Sequence, residues 1–232
     1  MKTASLRSGV EGRNFYGRVK GKTLKPAQQR YIDEDLPALR IRGVTVEDNP
    51  ARQRLHPPTL FGDDRPLWLE VGFGGGEHMV EQARANPGVG LIGCEPFLNG
   101  VAMALGKIRR VGVDNIRLHA GDVRDLFDVL PDACLARVFL LYPDPWPKAR
   151  HHRRRFVTPD YLAPLARVLA PGGLFRVATD IPDYVRQTLE EVPAAGFDRL
   201  AHDLHSAWGD WRPTRYEAKA LREGRVPHYL TF

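Results

Sequence analysis

From Leu67 onward, short apolar runs alternate with segments of helical periodicity, and this alternation restricts the fold more than any other feature. Residues 67–72, 89–95, 115–120, 135–142 and 174–178 read as strands, and 77–86, 98–110, 123–130, 159–169 and 183–192 as helices. Ala170-Pro171-Gly172-Gly173 stops the helix before the fifth strand. Strands separated by helices form βαβ crossovers, so the fold class is α/β, a doubly wound, mostly parallel sheet covered on both faces. Residues 197–204 and 226–232 can complete it as a final antiparallel pair. Residues 1–62 lack sustained periodicity and hold Pro37, Pro50, Pro57 and Pro58. They read as a basic, extended arm ahead of one domain spanning 63–232, a size that one core supports.

The first strand and turn read Leu69-Glu70-Val71-Gly72-Phe73-Gly74-Gly75-Gly76-Glu77. A glycine-rich strand-to-helix turn lets a ligand approach the backbone at the carboxyl edge of a parallel sheet. Glycines at 72, 74 and 76 give GxGxG, whereas a dinucleotide fingerprint needs GxGxxG and here would have Glu77 in its third place. Glu70 and Glu77 would repel a pyrophosphate but attract the sulfonium and ammonium of S-adenosylmethionine. Glu77 is equally a favourable first-turn acid. Glu70, at the end of a buried strand, needs some partner to offset its burial. Glu95 ends the second strand, where a carboxylate suits a ribose diol. Asp122 ends the third, able to reach an adenine amine, to cap the next helix, or both.

The fourth strand runs into Tyr142-Pro143-Asp144-Pro145-Trp146-Pro147-Lys148. Prolines on either side stiffen the backbone around Asp144 and remove amide donors, which makes Asp144 the candidate reaction-site carboxylate. The turn resembles the Asp/Asn-Pro-Pro-aromatic turn of amino-directed nucleic-acid methyltransferases, with one proline before the Trp. Arg150, His151, His152, Arg153, Arg154 and Arg155 follow at once, a run suited to phosphate. Asp180, Thr214 and Glu217 are acceptors able to read a guanine edge. Each also has a capping role open to it, Thr214 and Glu217 as a capping box.

The net charge of +6 is clustered in this run and in the arm, at Arg7, Arg13, Arg18, Lys20, Lys22, Lys25 and Arg30, which points to a polyanionic partner. The two cysteines, Cys94 and Cys134, form no CxxC and read as core packing. No cluster has metal-ligand spacing, so no metal is expected. No apolar run matches a membrane span, and the polar first 20 residues do not read as a signal peptide, so a cytoplasmic protein is expected.

Taken in order, residues 69–76, Gly121-Asp122, Pro143-Asp144-Pro145-Trp146-Pro147-Lys148, the run 150–155, Thr179-Asp180 and Thr214-Arg215-Tyr216-Glu217 resemble the bacterial tRNA (guanine-N7)-methyltransferase family. The likeness covers nearly the whole chain, including the arm from 18 to 28. It implies a seven-stranded methyltransferase fold, S-adenosylmethionine as donor, and N7 of the guanine at position 46 of the tRNA variable loop as acceptor. It implies cofactor contacts at Glu70, Gly72, Gly74, Gly76, Glu95, Asp122 and Asp144. Substrate contacts fall at Lys148, Asp180, Thr214, Arg215, Tyr216 and Glu217, and RNA contacts at 150–155. The partner is tRNA, with no membrane and no obligate protein partner. Two departures stand out: Glu95 is followed by Pro96-Phe97, and residues 8–12 match the family loosely. Guanine N7 has a lone pair and no proton, so Asp144 is expected to orient the base and stabilise charge. The rival readings are a small-molecule methyltransferase, which leaves the basic run unused, a non-catalytic RNA-binding protein, and a nicotinamide oxidoreductase, which Glu77 disfavours.

Overall fold

Strand β1 (Leu67–Val71) is buried at every position, as a strand must be when helices cover both faces of a parallel sheet. Leu69 and Val71 enter one core and Trp68 the other. The computed structural model describes residues 13–204 and 206–232; Arg7 and residues 8–12 of the arm lie outside them. The remaining strands are β2 (Gly90–Cys94), β3 (Ile116–His119), β4 (Leu135–Leu141), β5 (Leu169–Thr179), β6 (Ala201–Asp203) and β7 (His228–Thr231). They form one seven-stranded sheet in the order β3-β2-β1-β4-β5-β7-β6. Strands β1 to β5 pair in parallel, while β7 runs antiparallel to both β5 and β6. The expected fold class and closing antiparallel pair are therefore present.

Helices α4 (Glu77–Ala85) and α5 (Leu98–Val111) cover the Trp68 face with Met79, Val80, Val101 and Leu105. Helices α6 (Val123–Val129), α7 (Pro159–Val168) and α8 (Pro182–Ala194) cover the other with Leu126, Leu162 and Val185. The strand order reverses between β1 and β4, and the loops that leave their carboxyl ends part there, opening a crevice.

Two regions differ from the sequence pattern. Helices α1 (Pro26–Glu34), α2 (Leu36–Leu39) and α3 (Pro58–Phe61) form where only an extended arm is expected. Tyr31 of α1 packs over Gly106 of α5, and Ile41 donates its amide to the Leu118 carbonyl at the sheet edge, 2.9 Å away. Ile41 and Val44 are fully buried in the same core as Leu69. Strand β5 also begins earlier than expected. One ladder step on β4, from Leu135 to Arg137, matches Leu169 to Leu174 on β5, so residues 170–173 bulge outward around Gly172 at φ +74°.

Two buried groups near the carboxyl end of β3 tie stability to pH in opposite senses. Burial lowers the His119 imidazole from 6.5 to about 4. Its contribution is therefore present above pH 6.5 and lost as the pH falls toward 4, where the unfolded chain binds the extra proton. Burial and the neighbouring Asp122 raise Asp125 from 3.8 to about 6. That contribution is present below 3.8 and lost as the pH rises through 6. Urea unfolding of His119→Gln between pH 6.5 and 4.5 should therefore show a smaller acid loss of stability than the unsubstituted protein. An identical loss in both proteins would show that His119 binds protons alike in the folded and unfolded chains, so that burial does not lower it.

Candidate active site

A cavity of about 750 Å³ opens where the carboxyl ends of β1, β2, β3 and β4 meet. Val71, Gly72, Gly74, Cys94, Glu95, Gly121, Asp122, Leu140, Tyr142 and Asp144 contribute to its walls, with Phe156 and Tyr161 closing one side. The glycine turn after β1 holds Gly72, Gly74 and Gly76 at φ of 70°, 55° and 75°, left-handed values that side chains oppose. A Cβ on Gly72 would meet no protein atom within 4 Å and would stand in the cavity itself. Gly76 has another role: it precedes α4 and packs on Ala104, which a Cβ would meet at 2.7 Å. Of the three expected cofactor glycines, Gly72 and Gly74 line the cavity, and Gly76 sets the packing of α4 on α5.

Glu95 binds the two halves of the pocket floor together. One carboxylate oxygen accepts the Gly74 amide at 2.7 Å and the other the Phe97 amide at 2.8 Å. Burial raises its pKa, Asp144 adds to the rise, and the two amides oppose it. Each oxygen keeps lone-pair capacity toward the cavity for a diol. Asp122 caps α6 by accepting the Arg124 amide at 2.9 Å, and it is gripped by the Arg124 guanidinium at 2.5 to 3.2 Å. It remains on the cavity wall, so the cap and the pocket position coexist.

Glu70 sits elsewhere. Strand alternation puts it on the Trp68 face, under α4, where its carboxylate lies 2.6 Å from His78 Nδ1. Gln82 lies 3.2 Å from the other ring nitrogen, and Phe139 and Trp211 pack on the imidazole. The partner that a buried Glu70 requires is thus His78, and Glu70 is absent from the cavity lining. Glu77 pairs with Lys107 at 3.1 Å, in keeping with its reading as a first-turn acid.

Asp144 is exposed at the cavity mouth, and no described side chain or amide donates to it. The turn that carries it is strained: Tyr142 and Trp146 have φ of 49° and 41°, left-handed values for bulky residues. The basic run forms a 3₁₀ turn, residues Ala149–Arg154. Lys148, Arg150 and Arg153 are exposed. His151 packs edge-on to Trp146, and His152 lies 3.1 Å from Asp183. Arg154 is sandwiched between Tyr16 and Trp146, 4.7 and 4.9 Å from the ring centres. Arg155 departs from the expected RNA contact: only 1 % exposed, its guanidinium is spent on internal acceptors and faces no phosphate.

Asp180 is absent from the cavity lining and is paired with Arg225. Thr214 caps α9 (Arg215–Arg222) by accepting the Glu217 amide at 3.1 Å. Glu217 accepts the Trp211 indole N–H at 2.9 to 3.0 Å and the Tyr229 hydroxyl. Thr214 and Glu217 are therefore buried supports, whereas Tyr216 lines the cavity and Arg215 lies over Gly74. The arm supplies wall residues that sequence reasoning did not place there: Phe15, Tyr16, Gly17 and Arg18. They are latched by Arg13 to Asp128 at 2.6 and 2.8 Å, by Leu98 to the Val19 carbonyl at 3.0 Å and by Asn99 to Lys22 at 2.7 Å. The Phe15-Tyr16 pair beside Gly17-Arg18 was the available signal.

Apolar walls with three converging carboxylates, Glu95, Asp122 and Asp144, and an open glycine cradle fit an adenosyl sulfonium. The 16S rRNA methyltransferase KamB superposes over 75% of this chain and 91% of its own, with TM-score 0.55 at 19% identity. The pattern of a family described as "Putative methyltransferase" matches residues 64–230. A protein of Paracoccus denitrificans named tRNA (guanine-N(7)-)-methyltransferase is 69% identical over 95% of this chain and 94% of its own. One of the same name from Ruegeria pomeroyi is 70% identical over the same shares. The chain belongs to this tRNA (guanine-N7)-methyltransferase family.

Calorimetric titration of S-adenosylmethionine without RNA tests the pocket floor. Glu95→Ala should weaken binding by about 1.5–3 kcal/mol, the worth of charge-assisted hydrogen bonds. Full affinity in a folded Glu95→Ala protein would remove Glu95 from the site.

Proposed function

We propose that the protein transfers a methyl group from S-adenosylmethionine to N7 of a guanine in tRNA, at position 46 of the variable loop. The observation that carries this reading is Asp144. It is a carboxylate with no partner among the described residues, on a proline-stiffened turn, lining the cavity together with Tyr216 and close in sequence to exposed Lys148, Arg150 and Arg153. Membership of a family whose members are named for this activity supports it.

When bound, the cofactor supplies a methyl group made electrophilic by the sulfonium. Glu95 would hold the ribose hydroxyls, Asp122 the adenine edge, and the open face of Gly72 the methionine portion. Guanine N7 attacks through a lone pair and releases no proton, so the chain needs no general base. The purine becomes cationic as the bond forms. Asp144 would orient the base and offset that charge from a fixed turn, which costs no reorganisation during the reaction. Asp180, through the oxygen left free by Arg225, and Tyr216 would hold the guanine, with Thr214 and Glu217 fixing the start of α9. Lys148, Arg150 and Arg153 would take phosphates, which position an RNA without reading its sequence. Arg18 extends that basic rim along the arm. No described helix is long and apolar enough to cross a membrane.

The test is incubation with labelled S-adenosylmethionine and unmodified tRNA transcripts, followed by nucleoside analysis. Label should appear in 7-methylguanosine alone and vanish when position 46 is adenosine. Asp144→Asn should lower kcat by about 10²–10³ in a folded protein. Label in another nucleoside, or none in tRNA, sinks the reading.

A further inference from the structure

Among the described residues, the largest side chain fully withdrawn from solvent is that of Arg155, the last arginine of the basic run. A buried guanidinium is destabilising unless its donors are used, and here they make five hydrogen bonds. Nε donates to the Pro145 carbonyl at 2.9 Å. Nη2 donates to the Trp146 carbonyl at 3.4 Å and to Asp183 Oδ2 at 2.8 Å. Nη1 donates to Gln187 Oε1 at 2.9 Å and to the Asp183 carbonyl at 3.4 Å. Asp183 and Gln187 belong to α8, and Gln187 is itself fixed by donating to the Val157 carbonyl at 3.0 Å. The guanidinium also lies 5.2 Å from the centre of the buried Tyr184 ring.

Beyond the packing of His151 and Arg154 on the Trp146 ring, few hydrogen bonds hold the turn around Asp144. Pro143, Pro145 and Pro147 have no N–H to donate. The Tyr142 amide bonds the Ala178 carbonyl at 2.7 Å, and the next backbone amide to bond another backbone group is that of His151, to Lys148. Between these two anchors Trp146 is held in a left-handed conformation that relaxes unless its surroundings oppose it. The Arg155 contacts grip the carbonyls of the two residues that follow Asp144.

We propose that Arg155 is a positioning residue for methyl transfer, tying the Pro145–Trp146 backbone to α8 and so aiming the Asp144 carboxylate into the cavity. This rests on the reading that Asp144 acts at the transferred methyl. It separates Arg155 from its neighbours in the run: Arg153 faces phosphate, and Arg155 faces the reaction turn from behind.

A double-mutant cycle tests it. Arg155→Lys keeps a cation near Asp183 but cannot grip both carbonyls. It should lower kcat by about 10²-fold, the order expected for a displaced reactive group. Affinities for S-adenosylmethionine and tRNA should be unchanged, as should the salt dependence of tRNA binding. Lys148→Ala with Arg153→Ala should instead flatten that dependence, by roughly 0.7–0.9 in log–log slope per lost contact. On an Asp144→Asn background, Arg155→Lys should cost nothing further. If Arg155→Lys does not fold, Asp183→Asn, which loosens the same anchor, should give a smaller kcat loss that likewise disappears with Asp144→Asn. Multiplicative losses, or a flattened salt slope in Arg155→Lys, overturn the inference. A wild-type protein that leaves guanine N7 unmethylated overturns the underlying reading instead, so the two failures are distinct.

Discussion

The reversal of strand order between β1 and β4 is the constraint on which the site depends. At that point the chain leaves β1 toward α4 on one face and leaves β4 toward the opposite face, so the two loops cannot pack on each other. The gap between them is the cavity. One wall is the glycine turn, whose backbone must come close to a ligand. The other is the proline turn, whose backbone has few hydrogen bonds of its own. The two walls thus face each other, and each is held by a side chain from elsewhere. Glu95 holds the Gly74 amide from β2's end, and Arg155 holds the Pro145 carbonyl from behind.

Charge is arranged around this gap by depth. Two buried carboxylates line it, and both are compensated: Glu95 by two backbone amides and Asp122 by Arg124 and its own helix. Asp144 at the mouth lacks such compensation among the described residues, which would leave its charge for a substrate. Cations sit on the rim. The arm and the loop after β4, far apart in sequence, meet where Tyr16 stacks on Arg154, so two basic segments become one surface beside the mouth. Screening weakens charges on this rim far more than those inside, so the proposed RNA and cofactor contacts would respond differently to salt.

The alternation of strands and helices was legible because a parallel sheet buries whole apolar runs. The arm was not, because α1, α2 and α3 contain no fully buried residue and so show no apolar stripe. Ile41 and Val44 reach the core from a loop, which no periodicity marks. Within the site, loop positions were legible and side-chain directions were not. Gly72, Gly74, Glu95, Asp122 and Asp144 all line the cavity. Glu70 is one residue from a cavity position, and the period of two in a strand sends it to the other face; the alternation with Leu69 and Val71 was enough to decide this. Arg155 could not be told from Arg153 by composition, since only tertiary packing buries one and exposes the other. Thr214 and Glu217 show the capping-box pattern and in the fold do serve α9, an outcome their spacing allowed alongside base contact.

On the proposed reading, the lone pair of guanine N7 attacks the sulfonium methyl without a general base, and Asp144 steers the purine. A tRNA carrying 7-deazaguanine at position 46 alone replaces that nitrogen by C–H and keeps the Watson–Crick edge intact. Methyl transfer from labelled S-adenosylmethionine should be abolished on this tRNA, while its binding matches that of the natural sequence. Incorporation at an undiminished rate would contradict the account and move the acceptor to another atom.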